Sequence, residues 1–258
     1  MSTKKKTKTA KKTDKAGTER LQKILASAGI DSRRNCEELI LEGAVTVNGK
    51  TVDELPAFAD PENDVICVNG RKIPKPKKIY ILLNKPKGVI CTSRDPLGRR
   101  KAVDLVDAEE RIYCVGRLDV DTLGAILLTN DSELTNRLTH PKYELPKTYQ
   151  VRIRGRMDHE AMEKLKKGVW LSEGKTGRSS VKILKKLKDE TILEVQIRQG
   201  LNRQIRRSFA RLGYKVRELK RLQIGNISIK GMQSGAYRFL TQSEVSYLYK
   251  MTRGSKKN

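Results

Sequence analysis

Apolar residues recur at helical spacing near the start of the chain. ERLQKILASAGI shows this spacing, and SRRNCEELILEG repeats it behind Ser32, a residue type that favours the first position of a helix. VTVNGKTV then alternates around Asn48-Gly49, a dipeptide that strongly indicates a β-hairpin. These patterns predict a small domain of two helices and a hairpin over residues 18–69.

Short apolar runs dominate the chain from residue 79 onward. IYILLN, VICT, RIYCV and AILLTN predict strands, and KTYQVRIRG alternates as a half-exposed strand does. LTNRLTH behind Asn130 or Asp131, DHEAMEKLKKG and NRQIRRSFARLG predict helices. VKILKKL and ILEVQIR predict a hairpin, and VRELKRLQI and NISIK predict further strands. We therefore expect an α+β fold with a mixed, largely antiparallel sheet over residues 79–250.

The segments outside these two regions are basic and poor in apolar residues. GRKIPKPKK, residues 70–78, contains two prolines and predicts a stiff linker between the domains. Residues 1–17 carry seven lysines and one acidic residue, a composition typical of a disordered tail. We expect residues 251–258 to form a second basic tail.

The charge balance indicates the class of partner. The chain has 55 Lys and Arg residues against 30 Asp and Glu, a formal net charge of +25, which favours nucleic acid. Binding to a membrane surface is the alternative, but the sequence shows no long apolar helix, signal peptide or lipidation motif. The four cysteines form no CxxC pair, and the two histidines complete no ligand spacing. We therefore expect no metal, no disulfide and a reducing cytoplasm.

The stretch VGRLDVDTLGAILLTND, residues 115–131, places a charged pair between two predicted strands. Loops at strand ends often carry reactive groups, which makes Arg117 and Asp119 candidates. An Asp-rich turn in which Gly124 takes an unusual backbone conformation is the structural alternative. A glycosidase site needs two acids across one bond, whereas carboxylates two positions apart on a strand point to opposite faces. These residues alone leave the turn and the reactive site open.

An aromatic residue lies on a predicted strand among basic residues. Tyr149 has Lys147 before it and Arg152 after it. Aromatic rings on basic sheets hold unstacked bases in many RNA-binding proteins, and simple packing within the strand is the alternative.

Arginines occur at the start of two predicted helices. Arg33 and Arg34 oppose the helix dipole, a placement that favours an approaching phosphate, although two solvated arginines also explain it. In NRQIRR, Arg203 and Arg207 share an exposed stripe, for which a solvated face is the default interpretation. Arg206 borders the apolar face and is placed to reach inward to a carboxylate.

Two resemblances account for most of the chain. ERLQKILASAGIDSRR and VTVNGKTV resemble the S-four-type RNA-binding domain over residues 18 to about 66. LNKPKGVICT, DPLGRRKAVDLV, VGRLDVDTLGAILLTND, THPKYELPKTYQV and NRQIRR then resemble, in order, a ribosomal-RNA pseudouridine synthase with such a domain in front. Within that branch, SRR and GRLDVDT are most similar to the enzymes that act on large-subunit rRNA.

The resemblance implies roles for individual residues. Asp119 takes the place of the essential aspartate that acts on the ribose–uracil linkage, and Tyr149 that of the tyrosine that stacks against the base. Arg206 takes the place of the arginine that pairs with this aspartate and keeps it ionised in a water-poor pocket. Arg117 helps to displace or hold the flipped nucleotide, and Arg203 joins the RNA-binding residues.

The resemblance also implies that no cofactor is needed and that the partner is ribosomal RNA or a pre-ribosomal particle, without a membrane. We expect a monomer. The sequence departs from the family pattern at Ala125, Ser132 and Leu201, none of which is one of the implied active-site residues. A ribosome assembly factor that binds rRNA without turnover is the main alternative, and a base-excising hydrolase is a third.

Overall fold

A computed structural model describes residues 17–75 and 77–253. The predicted tails lie outside these residues, apart from Gly17 and the first three residues of the second tail. The chain divides into two compact units, Met1–Lys77 and Lys78–Asn258. The division falls within the segment predicted as a linker.

The first unit is built from the predicted helices and hairpin. Its elements are β1 (Glu19–Arg20), α1 (Leu21–Ser27), α2 (Arg33–Leu41), β2 (Val45–Val47), β3 (Lys50–Val52), β4 (Phe58–Ala59), β5 (Ile66–Val68) and β6 (Arg71–Lys72). Strand β1 pairs with β4, and the other strands form a sheet in the order β3-β2-β5-β6. The Ser32 side chain caps α2 by accepting a hydrogen bond from the Asn35 amide, as predicted. The fully buried Leu21, Leu25 and Ile40 anchor the small core.

The small sheet extends into the predicted linker. Strand β6 pairs with β5, and Ile73 is buried in the core of the first unit. Asn69 and Gly70 have φ values of +49° and +74°, so they reverse the chain into this hairpin. The linker prediction was wrong for residues 71–73 because it overlooked this second Asn-Gly signal.

The second unit contains one large mixed sheet. Its elements are β7 (Tyr80–Lys85), β8 (Tyr113–Cys114), β9 (Leu123–Thr129), α3 (Ser132–Thr139), β10 (Lys147–Arg154), α4 (His159–Lys167), β11 (Trp170–Leu171), β12 (Gly174–Lys175), β13 (Ser180–Lys186), β14 (Glu190–Ile197), α5 (Gln204–Arg211), β15 (Val216–Ile224), β16 (Ile227–Ser228), β17 (Tyr237–Phe239) and α6 (Gln242–Met251). The sheet order is β13-β14-β10-β15-β9-β7-β17, with β16 on β15 and β8 on β9. Among the described strands only β9 and β15 pair in parallel, which confirms the predicted α+β fold and its largely antiparallel sheet.

Several segments of the second unit differ from the sequence prediction, which also missed the short strands β11, β12 and β17. VICT forms no regular strand: Ile90 makes a single bridge to Lys101, and the buried Val89 accounts for the apolar run. At the other end, α6 was not predicted, although Thr241 and Glu244 form a reciprocal capping box at its start. Helix α6 includes Met251, and Thr252 is fully buried, so the folded unit extends beyond the predicted domain end at residue 250.

Asp131 joins three elements of the second unit. Its carboxylate caps α3 through the Leu134 amide at 3.1 Å and accepts hydrogen bonds from Tyr80 on β7 and Tyr249 on α6. Burial opposes ionisation, but these hydrogen bonds outweigh it and lower the pKa of Asp131. The aspartate that ends the LLTND run therefore anchors the C-terminal helix.

The parallel contact between β9 and β15 requires a glycine. Gly124 lies opposite Arg221, with a φ of +104°, and an ideal Cβ there would be 2.1 Å from the Arg221 carbonyl oxygen. Gly124 thus has the unusual backbone conformation that the structural alternative gave it, and the reason is the close approach of the two strands.

Replacing this glycine should separate the strands. Gly155→Ala is the matched control, because Gly155 has a φ of +86° but nothing within 4 Å of an ideal Cβ. We expect Gly155→Ala to cost about 1–2 kcal/mol of unfolding free energy from backbone strain alone. Gly124→Ala should cost several times more in urea denaturation. Equal losses for both variants would contradict the steric role of this contact.

Candidate active site

A cavity of about 490 Å³ opens beside the parallel contact in the second unit. It is lined by the segment that follows β8, the end of α3 and its connection to β10, the start of β10, the loop between β14 and α5 with the first turn of α5, and part of β15. Basic side chains outnumber acidic ones along its wall. The charged lining residues are Arg117, Asp119, Glu144, Lys147, Arg198, Arg203 and Arg221.

Asp119 lies in a tight turn at this cavity. The Thr122 amide donates to the Asp119 carbonyl at 3.0 Å, and the Asp119 side chain is 32% exposed. Arg203 Nη1 is 3.3 Å from Asp119 Oδ2 and 3.6 Å from Asp121 Oδ1. The two carboxylates therefore approach one guanidinium. The expectation that they point to opposite faces was wrong, because a turn and not a strand carries them.

The arginine that contacts Asp119 is Arg203, whereas the resemblance implied Arg206. Arg203 precedes α5 in a left-handed conformation, φ +46°, which brings its side chain to the cavity. Arg206, in the first turn of α5, bonds instead to Asp121, with Nη2 3.1 Å from Oδ2 and 3.2 Å from the carbonyl oxygen. It also reaches the Val216 carbonyl. The pairing predicted for Arg206 is thus corrected to Asp121.

Tyr149 combines the two interpretations that the sequence left open. On β10 it lies between Val195 and Arg221 of the neighbouring strands, and it packs into the main hydrophobic core. It also lines the cavity that contains Asp119. The ring is thus a buried wall residue with access to the same space as the carboxylate.

Three cations in the cavity wall, Lys147, Arg198 and Arg221, were not assigned a role from the sequence, and Arg198 is exposed. Arg221 is only 5% exposed; its Nε donates to the Ala125 carbonyl at 2.6 Å, and its Nη2 has no hydrogen-bond partner among the described residues. Lys147 donates to the Leu145 carbonyl, and burial, followed by repulsion from Arg221, lowers its pKa to about 8. Lys147 was visible as a basic neighbour of Tyr149. Arg221 gave no signal within its predicted strand.

The remaining predicted RNA-binding residues are exposed. Arg117 lies at the surface and lines the cavity. In the first unit, Arg33 and Arg34 are exposed in the first turn of α2, where the sequence predicted them. Their contact with RNA stays a prediction.

The described residues carry few features of other site types. No group of three or more His, Cys, Asp or Glu residues among them is arranged to hold a metal ion. None of the helices in the described ranges is both long enough and apolar enough to cross a membrane. Cys67, Cys91 and Cys114 are free thiols.

Comparison with known proteins identifies the family. Residues 79–211 match the RNA pseudouridylate synthase family, and residues 19–55 match the S4 domain. The chain belongs to the RNA pseudouridylate synthase family, and its first unit carries an S4 domain.

Individual relatives resemble nearly the whole chain. It is 45% identical to the ribosomal large subunit pseudouridine synthase B of Bacillus subtilis, over 89% of this chain and 95% of that protein. It is 39% identical to an uncharacterized RNA pseudouridine synthase of Aquifex aeolicus, over 90% and 94% of the two chains. A crystal structure of a pseudouridylate synthase is similar with a TM-score of 0.65 and 30% identity, over 89% of this chain and 99% of that one.

The lowered pKa of Lys147 predicts a pH-dependent stability. A lysine whose pKa falls on folding destabilises the folded state while it is charged, so this penalty is complete below pH 8 and vanishes towards the ordinary value of 10.5. Lys147→Met should therefore raise the free energy of unfolding at pH 7. The gain should shrink above pH 8. Urea denaturation of both proteins between pH 6 and pH 10 measures it, and a gain that is constant with pH would contradict the assignment.

Arg203 and Arg206, the two arginines that contact the carboxylates of Asp119 and Asp121, should contribute differently to folding stability. Arg206 is 12% exposed and bonds to backbone carbonyls, whereas Arg203 is 45% exposed. Arg206→Met should lower the free energy of unfolding by about 1–3 kcal/mol because it leaves buried groups unpaired. Arg203→Met should cost less than about 1 kcal/mol, as for other exposed ion pairs. The reverse order in urea denaturation would show that Arg203 holds the fold.

Proposed function

We propose that this chain converts a specific uridine of large-subunit ribosomal RNA to pseudouridine, with Asp119 as its essential residue and without a cofactor. The observation that carries the proposal is that Asp119 and Tyr149 line one basic cavity in a member of the pseudouridylate synthase family. The name of the Bacillus subtilis relative supports the large subunit as the source of the substrate.

The residue types suit the chemistry. Pseudouridine formation breaks the nitrogen glycosidic bond, turns the uracil and rejoins it to the ribose through carbon, with no net oxidation or group transfer. It needs a charged oxygen at the ribose–uracil linkage, and the Asp119 carboxylate is proposed to supply it. The Arg203 guanidinium, 3.3 Å away, forms an ion pair with that carboxylate and stands where it can hold it in place.

The cavity also suits an everted nucleotide. Turning a base out of an RNA stack costs a few kcal/mol, and stacking on an aromatic ring returns about 1–3 kcal/mol. Tyr149 is proposed to stack against the target uracil. Arg221 and Lys147 would supply hydrogen bonds and positive charge to the oxygens of the nucleotide, which would offset the cost of burying two neighbouring cations.

The rest of the chain is proposed to position the RNA. The net charge of +25 favours phosphate binding at many points. In this proposal Arg33 and Arg34 of the S4 domain contact RNA phosphates, and Arg117 holds the flipped nucleotide at the cavity. We further propose that the protein acts as a monomer in the cytoplasm, on rRNA or a pre-ribosomal particle; the wide spacing of the four cysteines in the sequence fits a reducing compartment.

Removing the charge of Asp119 should separate catalysis from binding. We expect Asp119→Asn to reduce pseudouridine formation by about 10²–10⁴-fold or more, because the reaction loses its anion. RNA affinity should stay equal or rise slightly, because a negative charge next to phosphates is removed. Chemical mapping of pseudouridine across rRNA, from cells that carry each variant in place of the natural gene, measures the first effect. RNA titration measures the second.

Asp189→Asn is the matched control, an exposed aspartate in the turn between β13 and β14. It should leave both quantities unchanged. An unchanged pseudouridine map for Asp119→Asn would favour the binding-only assembly factor. Release of free uracil would favour the base-excising hydrolase.

A further inference from the structure

The second unit presents a tryptophan to solvent. Trp170 is the one tryptophan of the chain, and it is 67% exposed at the start of the β11–β12 hairpin. Isolated apolar side chains are common on protein surfaces, so exposure alone assigns no role. Two further observations suggest a role for Trp170. Hydrogen bonds hold its hairpin in place, and basic residues flank it.

The hairpin is closed tightly at its base. The Val169 amide donates to Thr176 Oγ1, and the Thr176 amide donates to the Val169 carbonyl, both at 2.9 Å. Gly168 has a φ of +93°, and an ideal Cβ there would be 2.1 Å from the Thr176 carbonyl oxygen. A two-stranded hairpin is only marginally stable by itself. The contacts at its base therefore hold the hairpin in place, and with it the backbone of Trp170.

The hairpin is also fixed to the wall of the cavity. Arg207 of α5 donates to Ser172 Oγ and to Glu173 Oε1, each at 2.7 Å, and to the Asn202 carbonyl at 3.0 Å. Arg207 was predicted to be simply solvated, and the structure corrects that prediction. Because Asn202 lines the cavity, one guanidinium connects the hairpin to the candidate active site.

A second contact comes from the same loop. Gln199, which also lines the cavity, accepts a hydrogen bond from the Gly177 amide at 2.8 Å. Two sets of hydrogen bonds therefore join the hairpin and the segment after it to residues of the cavity wall.

The charges around the indole are positive. Lys175 is the direct cross-strand partner of Trp170, so both side chains lie on the same face, and Lys175 is exposed. Lys167 and Arg178 are exposed close by in the chain. The acidic residue of the hairpin, Glu173, is neutralised by Arg207, whose hydrogen bonds lower the pKa of Glu173 to about 2.

We propose that Trp170 and Lys175 form a second nucleotide-binding surface outside the cavity, where the indole stacks on an unpaired RNA base and the ammonium contacts an adjacent phosphate. An exposed ring beside a cation matches the two chemical parts of a single-stranded nucleotide. The proposal rests on the proposed function only in its choice of RNA as the substrate class. It does not depend on turnover at Asp119.

Intrinsic fluorescence tests the stacking directly, because Trp170 is the one tryptophan. The full-length chain is titrated with a single-stranded oligouridylate and, separately, with a fully paired RNA duplex of equal length. We expect the single strand to quench the fluorescence with saturation and the duplex to quench it far less. Equal quenching by both probes would overturn base stacking.

Variants measure the contribution to affinity. Trp170→Ala should weaken oligouridylate binding by about 5- to 150-fold, the range typical of base–aromatic stacking, and Trp170→Phe should restore most of the loss. Lys175→Gln should reduce the slope of log affinity against log salt by about one. Phe239→Ala is the matched control, an exposed aromatic on β17, and should bind as the original chain does. Unchanged affinity in Trp170→Ala, with the melting temperature preserved, would overturn the proposal.

Measurements of pseudouridine formation distinguish a failure of this proposal from a failure of the proposed function. With the rRNA substrate, Trp170→Ala should raise KM and leave the single-turnover rate at saturating RNA unchanged. A chain that forms no pseudouridine but still shows strand-specific quenching would refute the proposed function and support the stacking surface. A chain that forms pseudouridine without any quenching by RNA would refute the stacking surface alone. Quenching of the Trp170 fluorescence by a protein partner, with no quenching by RNA, would also refute the stacking surface.

Discussion

The close parallel contact between β9 and β15 is the constraint on which the candidate active site depends. Gly124 permits it, because a side chain at this position would overlap the Arg221 carbonyl. On the other side of β15, Tyr149 lies opposite Arg221, so three adjacent strands bring these residues into one row. Asp119 lies in the turn that leads into β9. One backbone contact therefore sets the positions of the carboxylate, the aromatic wall and the buried cation.

The charged residues around this contact make three different contributions to folding stability. Arg206 is nearly buried and ties α5 to the Asp121 turn and to β15, which stabilises the frame of the site. Arg203 faces the cavity, where its ion pair with Asp119 is partly exposed and contributes little to folding. Arg221 and Lys147 place neighbouring positive charges in a partly buried wall, which lowers folding stability. The same arrangement favours a ligand that carries negative charge or hydrogen-bond acceptors.

Most of the fold follows from local patterns. The strands and helices with a clear period were predicted correctly, and so were the hairpin at Asn48-Gly49 and the cap at Ser32. The errors have local causes: β6 was missed because prolines outweighed the Asn69-Gly70 turn signal, and α6 because its capping box was overlooked. VICT was assigned to a strand because a buried loop and a buried strand share the same apolar composition.

By itself the sequence determined the residue types, their periodicity, the positive charge and the motifs shared with the family, because all of these are properties of neighbouring residues. Only the tertiary structure decided which arginine contacts Asp119 and that Arg221 lies in the cavity wall. These contacts join residues far apart in the chain, and they depend on the left-handed start of α5 and on the spacing of β9 and β15. No local pattern records a distance between distant segments, so the pairing inside the site emerged only with the fold.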